Sequence, residues 1–181
     1  IGPSGSGKGT QAKLLIEALE KKDTDIPIIH VETGSELRKF SNGTSYTAQL
    51  TKETINNGGL MPEFMMVYVW GKIFAEQFTG KESLIFDGTP RKMAELQVLS
   101  TVFDFYKLDK PWVIYLDVHH EELFKRLTLR GRNDDTHEGI TNRLTWYQSE
   151  VLPCVEALKA DSRYNFVEEV HADIVKRVGL E

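Results

Sequence analysis

The chain has 181 residues, a length that suits one compact domain. Its composition, 40% hydrophobic and 27% charged, is ordinary for a globular protein, and a net charge of -5 gives no electrostatic argument for a nucleic-acid or membrane partner. The single cysteine, Cys154, excludes a disulfide framework and a cysteine zinc site and indicates a reducing compartment, so we expect a cytoplasmic protein.

The pattern of apolar residues predicts helices that alternate with strands. Ile1 is expected to end a buried strand, although a chain that starts without methionine leaves open an upstream targeting segment. Further strands are predicted at 27–31, 84–86, 112–116 and 165–167. Helices are predicted at 8–21, 33–57 in two pieces, 64–78, 93–106, 120–130 and 138–160, with a short one from Ala172. This order predicts an α/β fold with one doubly wound parallel sheet and helices on both faces.

A glycine-rich loop joins the first strand to the first helix. Its sequence is Gly2-Pro3-Ser4-Gly5-Ser6-Gly7-Lys8-Gly9-Thr10. In this context a glycine loop places backbone N–H groups around a phosphate at the positive end of a helix, and Lys8 adds a mobile charge. The usual pattern has Ser or Thr directly after the lysine, whereas here Gly9 intervenes. We therefore expect Thr10 to meet the phosphates and Mg²⁺ to be held largely by phosphate oxygens and water. The alternative is a plain glycine-rich turn.

Six segments, in chain order, resemble the motifs of the adenylate kinase family of nucleoside monophosphate kinases. Besides the glycine loop they are TGSELR at 33–38, GGLMP at 58–62, FDGTPR at 86–91, GRNDD at 131–135 and NRL at 142–144. Together they cover nearly the whole chain. The resemblance implies a single P-loop kinase domain over 1–181, a small helical monophosphate-binding insertion at 32–61 and a lid at 130–136.

The resemblance also implies a reaction, the reversible transfer ATP + AMP = 2 ADP with Mg²⁺, and a set of site residues. On the ATP side they are Gly5, Ser6, Gly7, Lys8, Gly9, Thr10, Arg126 and Arg130. On the acceptor side they are Thr33, Gly34, Arg38, Gly59, Leu60, Met61, Gly88, Thr89, Pro90, Arg91, Glu95, Arg132 and Arg143. The implied catalytic set is Lys8, Arg38, Arg91, Arg130, Arg132 and Arg143.

Arginine suits phosphoryl transfer because its planar fork holds two oxygens at once. For any single arginine the alternative is a solvated helix face. Asp87, at the end of a predicted strand, fits a carboxylate that orders Mg²⁺-bound water together with Thr10, and its alternative role is a helix cap. Trp146 is expected to pack on the long helix, and Cys154 to be a small buried residue.

Two departures from the family pattern affect the expected function. Only Gly131 separates Arg130 from Arg132, so the lid is vestigial, and water should reach the donor phosphate unless something else, such as a neighbouring subunit, covers the site. Glu95 stands four residues after Arg91, where the family usually has a glutamine that reads the adenine of AMP. Since an ionised carboxylate only accepts hydrogen bonds, Glu95→Gln should then improve AMP binding. Gln97, or backbone near Gly88 and Met61, is the alternative reader of the base.

The sequence leaves other functions open. A UMP/CMP kinase is one, although Thr33 favours AMP by resemblance. A nucleotide-binding sensor without efficient transfer is another, and a P-loop hydrolase is a third. Small-molecule nucleotides are the expected partners, and we expect a monomer, with a homo-oligomer as the alternative.

Overall fold

A computed structural model describes residues 1–169 of the chain. Its strands are β1 (Ile28–Glu32), β2 (Ser83–Asp87), β3 (Trp112–Leu116) and β4 (Asn165–Glu169). Its helices are α1 (Lys8–Lys22), α2 (Thr33–Phe40), α3 (Tyr46–Asn56), α4 (Glu63–Gln77), α5 (Met93–Tyr106), α6 (His120–Arg130), α7 (His137–Trp146) and α8 (Leu152–Ala160). The predicted alternation of helices and strands is confirmed as a mixed α/β fold. The helix predicted from Ala172 lies outside the described residues.

The strands pair in parallel, β1 with β2 and β3 with β4. In the first pair Val31 lies opposite Phe86 and Glu32 lies opposite Asp87, so both strands end at the same level. Loops that follow the carboxyl ends of parallel strands form the usual ligand-binding edge of such sheets. The register therefore places α2, which starts directly after β1, beside the Asp87–Gly88 turn.

Ile1 lies outside the four strands but makes strand-like bonds. Its amino group donates to the carbonyl of Ile114 (2.7 Å), and its carbonyl accepts from the N–H of Leu116 (3.0 Å). These two bonds flank one residue of β3, as in a parallel ladder. Ile1 therefore hydrogen-bonds to β3 as a residue at the end of a strand would, although Ile1 itself is not part of a strand.

Alternate residues of β1 and β2 build one apolar core. Val31 packs with Trp70 and Phe74 of α4, and the partly buried Leu84 and Phe86 join the same cluster. Side chains of a strand alternate between two faces, so Ile85 points to the other side, where it lines a small cavity with Ala12 of α1. The pair of strands is therefore covered by different helices on its two faces.

The long helix predicted over 138–160 is present but not uniform. A π-helical turn, Tyr147–Val151, separates α7 from α8, and the N–H of Leu152 donates to the carbonyl of Tyr147. Pro153 follows directly, and a proline has no N–H to donate and its ring crowds the carbonyl four residues earlier. A wider turn ahead of the proline accommodates both constraints.

Two further findings concern the described part of the chain. Cys154 is a free, buried thiol, as expected. Among the helices described, none has both the length and the apolar character that a membrane span needs.

Candidate active site

A cleft with a volume of about 680 Å³ lies where β1 and β2 end. Most of the predicted site residues line it. They are Gly5, Gly7, Lys8, Gly9, Thr10, Gly34, Arg38, Gly59, Met61, Asp87, Gly88, Arg91, Arg126, Arg130, Arg132 and Arg143. Six predicted residues are not among its lining residues: Ser6, Thr33, Leu60, Thr89, Pro90 and Glu95.

The glycine loop adopts a conformation that its composition makes possible. Gly5 and Gly7 have φ values of 85° and 93°, in the left-handed region that residues with a Cβ rarely adopt. Gly7 immediately precedes α1, so the loop ends at a helix N-terminus. This arrangement supplies the backbone N–H groups and the partial positive charge that bind phosphate.

Lys8 is held inside this loop. Its Nζ donates to the carbonyls of Gly2 (2.9 Å) and Pro3 (2.7 Å). Burial lowers the pKa of Lys8 to about 8; the carboxylate of Asp87 opposes this change, while the charges of Arg91 and Arg130 add to it. The ammonium is therefore mostly protonated at neutral pH, and within residues 1–169 its hydrogen bonds go to backbone carbonyls and not to a carboxylate.

The pKa of Lys8 leads to a pH dependence of nucleotide use. Above pH 8 the free protein loses the ammonium charge, so we expect kcat/KM for ATP to fall about tenfold per pH unit, with a smaller change in kcat because bound phosphate keeps the lysine protonated. The free energy of unfolding should instead rise with pH in this range. The pKa of Lys8 is near 10.5 in the unfolded chain, so between about pH 8 and 10.5 the unfolded state binds more protons than the folded state. The contribution of Lys8 to the free energy of unfolding therefore increases with pH there. Steady-state kinetics and urea unfolding from pH 7 to 10 test both, and a flat kcat/KM profile would contradict the assignment.

Two aspartates fix the arginines at the end of α6 and in α7. Arg130 makes a bidentate contact with Asp135 (2.9 and 2.7 Å). Arg143 bonds the carboxylates of both Asp134 and Asp135 and the carbonyl of Asp134. Burial alone would raise the pKa of Asp135, but hydrogen bonds from Arg130 and from the backbone of Arg132 outweigh it, so the net pKa is lowered. Both guanidinium groups are thereby oriented before any ligand binds.

Arg132 and Arg38 are held less tightly. Among residues 1–169, the Arg132 guanidinium has no hydrogen-bond or ion-pair partner. Burial is the main cause that lowers the pKa of Arg132, and the positive charges of Arg130 and Arg38 lower it further. Arg38 contacts Glu32 at 3.3 Å, and both side chains are more than a third exposed. An exposed pair of this kind contributes little free energy, so an incoming anion can replace Glu32.

Arg91 lines the cleft beside the turn that follows β2. Its Nε donates to the carbonyl of Gly88 (2.7 Å), and its guanidinium lies 5.8 Å from the ring centroid of Trp146. Gly88 has a φ of 81°, and a Cβ there would approach Arg91 Nη2 to 3.0 Å. The turn after β2 thus needs glycine both for its backbone conformation and for the arginine packed on it.

Glu95 is placed differently from the expectation that it reads the acceptor base. Its side chain is fully buried, and Oε2 accepts from the backbone N–H of Arg91 (2.8 Å), while Oε1 has no partner in the described structure. Burial raises the pKa of this carboxyl. Glu95 is the third residue of α5, and its carboxylate caps the N–H of Arg91 just before the helix. Glu95 is not among the residues that line the cleft, so its contact with the acceptor base stays a prediction.

Thr33 is a second predicted site residue that does not line the cleft. It is fully buried, and its hydroxyl donates to the carbonyl of Asp87 (3.2 Å), which ties the end of β1 to the end of β2. The structure therefore gives Thr33 a role in positioning the two turns, and its hydroxyl does not line the cleft.

The position of Glu95 changes the expected effect of Glu95→Gln. An amide oxygen can accept the same bond from Arg91, so we expect KM for AMP to stay within about twofold, and stability to be equal or higher because a buried carboxylate is removed. Glu95→Leu has no acceptor, leaves that buried N–H unpaired and should cost about 1–3 kcal/mol of stability. Acceptor kinetics and urea unfolding of both variants provide the test. A tenfold lower KM for AMP in Glu95→Gln would restore the base-contact hypothesis.

Nine lining residues are absent from the predicted site set: Ser4, Lys13, His30, Glu32, Leu37, Ile55, Gly58, Asp134 and Trp146. Lys13 follows Lys8 by five residues on α1, and Glu32 precedes the TGSELR motif, so proximity to motifs was an available signal for both. Trp146 offered no such signal. It packs against the buried cluster that contains Tyr147 and Val151, as expected, and it also lines the cleft, three residues after Arg143 on α7.

The chain matches the family model described as adenylate kinase over residues 1–163. The chain belongs to the adenylate kinase family. It is 34% identical to an adenylate kinase of Prochlorococcus marinus (strain MIT 9515) over 96% of this chain and 88% of that protein. It is 33% identical to an adenylate kinase of Bacteroides fragilis and 31% identical to one of Bacteroides thetaiotaomicron, each over 98% of this chain and 95% of the relative.

The similarity to adenylate kinases includes the whole cleft. Every residue that lines it, from Ser4 to Trp146, falls inside the stretch matched by the adenylate kinase model. The cationic residues gathered there are therefore part of the adenylate kinase portion of the chain.

Proposed function

We propose that this member of the adenylate kinase family transfers the terminal phosphate of ATP reversibly to AMP, giving two ADP. The observation that carries the proposal is the arrangement of cations in one cleft. Lys8 lies in the glycine loop, Arg38 and Arg91 lie beside the turns after β1 and β2, Arg130 ends α6, and all four line the same cavity. Cations brought from separate elements into one cavity suit the alignment of the phosphates of two nucleotides.

Phosphoryl transfer demands alignment and charge neutralisation more than covalent chemistry. In the proposed roles the glycine loop and Lys8 hold the ATP phosphates with Arg130, and Arg126 lies where it can contact the donor nucleotide. Arg38 leaves Glu32 to bind the acceptor phosphate. The remaining cations, Arg132 and Arg143, neutralise charge on the phosphoryl group as it moves.

The acceptor end also has an apolar part. Leu37, Ile55 and Met61 line the cleft beyond Arg38 and Arg91, and Leu37 and Met61 belong to one buried cluster with α4. An apolar wall beside a phosphate grip suits a flat nucleobase. We propose that this wall, with backbone near Gly88, holds the base of AMP. Preference for AMP over UMP or CMP remains part of the proposal.

The cleft fits a magnesium ion held mainly by nucleotide phosphates. Asp87 and Thr10 line it, so a carboxylate and a hydroxyl are available there. No cluster of three or more metal-ligating side chains occurs among the residues described. We propose that Asp87 and Thr10 hold Mg²⁺ through water. When bound, Mg²⁺ neutralises phosphate charge, while the arginines orient the reacting groups.

The finer architecture is likewise a proposal. Ile1 is bonded to β3 and lines one apolar groove together with Leu84 and Phe86 of β2, which supports a single doubly wound sheet in which Ile1 lies between β2 and β3. Residues 32–61, with α2 and α3, are proposed as the monophosphate-binding insertion within a single domain over 1–181. Residues 130–136, which join α6 to α7, are proposed as a minimal lid. A cytoplasmic monomer is our expectation for the protein.

The direct test is a coupled assay with ATP and each of AMP, CMP, UMP and GMP. We expect transfer to AMP to exceed transfer to the other acceptors. An ATP-only control should show measurable hydrolysis well below the transfer rate, because a short lid excludes water poorly. Equal or greater transfer to CMP or UMP would favour a pyrimidine kinase. Hydrolysis without transfer would favour a hydrolase.

A bisubstrate ligand tests the geometry apart from turnover. Diadenosine pentaphosphate spans both nucleotide sites, so it should bind about a hundredfold or more tightly than ATP or AMP alone. Isothermal titration calorimetry with the three ligands measures this difference. Binding no tighter than that of ATP would contradict two adjacent sites and favour the nucleotide sensor.

A further inference from the structure

The turn at 57–59, which ends the α3 segment, is seated on one face of α7. Asn142 Nδ2 donates to the carbonyl of Asn57 (2.9 Å), and Trp146 Nε1 donates to the carbonyl of Gly58 (2.9 Å). Gly58 has a φ of 65°, and a Cβ there would lie 2.3 Å from the carbonyl oxygen of Gly139. The contact therefore joins backbone to helix with no room for a larger residue.

The same face of α7 carries a transfer arginine. Relative to Gly139, the residues Asn142, Arg143 and Trp146 lie at positions i+3, i+4 and i+7, so together they form one stripe along the helix. Thr136 caps this helix by accepting from the N–H of Gly139 (3.0 Å). A turn that moves relative to this stripe also moves relative to Arg143.

Trp146 connects three parts of the cleft. Its indole N–H holds the 57–59 turn, its ring faces the guanidinium of Arg91 at 5.8 Å, and it lies three residues after Arg143. It lines the cleft and is half-buried, which leaves ring surface available to a ligand. Within the described part of the chain, no phenylalanine or tyrosine lines this cleft.

We propose that Trp146 is a positioning residue for the acceptor nucleotide. It holds the 57–59 turn against α7 and supports Arg91, and so keeps the acceptor end closed without a long lid. The inference rests on the proposed kinase function, since it concerns the acceptor of that reaction. Its effect is on acceptor binding and on exclusion of water, while ATP binding at the glycine loop is left unchanged.

Two variants of Trp146 separate its two contacts. Trp146→Phe keeps a ring beside Arg91 and loses the N–H that binds Gly58, so KM for AMP should rise about fivefold. Trp146→Leu loses both contacts and should raise it roughly thirtyfold. In both variants KM for ATP should stay within twofold, and acceptor-independent ATP hydrolysis should increase relative to transfer. Trp112→Phe is the matched control, because Trp112 is 51% exposed on β3 and does not line the cleft.

Fluorescence gives a measurement independent of turnover. In the Trp112→Phe background the remaining tryptophans are Trp70, which is buried, and Trp146. AMP should change the emission at a concentration near its KM, and adding Trp146→Phe should abolish that change. Urea unfolding reports whether any variant is simply less stable.

The outcomes distinguish this inference from the proposed function. If the wild-type protein does not transfer phosphate to AMP, the proposed function fails and the inference fails with it. If wild type transfers phosphate but both Trp146 variants match Trp112→Phe in KM for AMP and in hydrolysis, the inference alone is overturned. Equal increases in KM for ATP and AMP, with a lower urea midpoint, would also overturn it, because they indicate a merely structural residue.

Discussion

Lys8→Met is expected to lower kcat about a thousandfold, or ~4 kcal/mol of transition-state stabilisation. Methionine has a similar length but no charge, so the substitution removes the only side-chain cation within the glycine loop itself. Folding should be little affected, because the buried ammonium already has a pKa lowered to about 8 by desolvation, which marks its charge as costly to the free protein.

The measurement is kcat in the coupled assay, with urea unfolding as the check on folding. Lys72→Met is the matched control, since Lys72 lies on α4, is about half exposed and does not line the cleft. Near-normal turnover in Lys8→Met would contradict the phosphate-loop assignment.

Arg143→Met should produce a loss of similar size, about a thousandfold in kcat, because it removes a charge placed to neutralise the transferring phosphoryl group. Arg143→Lys keeps the charge but not the planar fork and should lose about a hundredfold. Arg143 also pairs with the nearly buried Asp134 and Asp135, so its loss removes the ion-pair partner of Asp134, while Asp135 keeps Arg130. Breaking a buried ion pair costs about 3–5 kcal/mol of stability.

Folding and chemistry are therefore measured separately. Circular dichroism and urea unfolding show which variants remain folded under assay conditions, and kcat is compared only among those. Arg163→Met is the control, because Arg163 pairs with Asp161 on the surface and does not line the cleft. A folded Arg143→Lys variant with wild-type kcat would exclude Arg143 from the transfer step.

The sequence by itself determined the local elements and the phosphate chemistry. Helical spacing of apolar residues placed α1, and short apolar runs placed β2 and β3, because these patterns depend on neighbours in the chain. The glycines at 5 and 7 and the lysine at 8 indicated a phosphate loop for the same reason, since loop conformation and helix N-terminus are local properties. The arginines of the motifs line one cleft, as the family resemblance carried by those motifs implied.

Tertiary structure alone decided which atoms the side chains face. Glu95 has the spacing of a base contact but turns into the interior, because the unpaired N–H of Arg91 ahead of α5 is a nearer partner for its carboxylate. Trp146 packs against the core, as the sequence indicates, and it also lines the cleft, because the 57–59 turn, 88 residues away in sequence, lies on α7 and supplies the carbonyl that its indole binds. Such contacts depend on how distant segments dock, and periodicity and spacing carry no information about that docking.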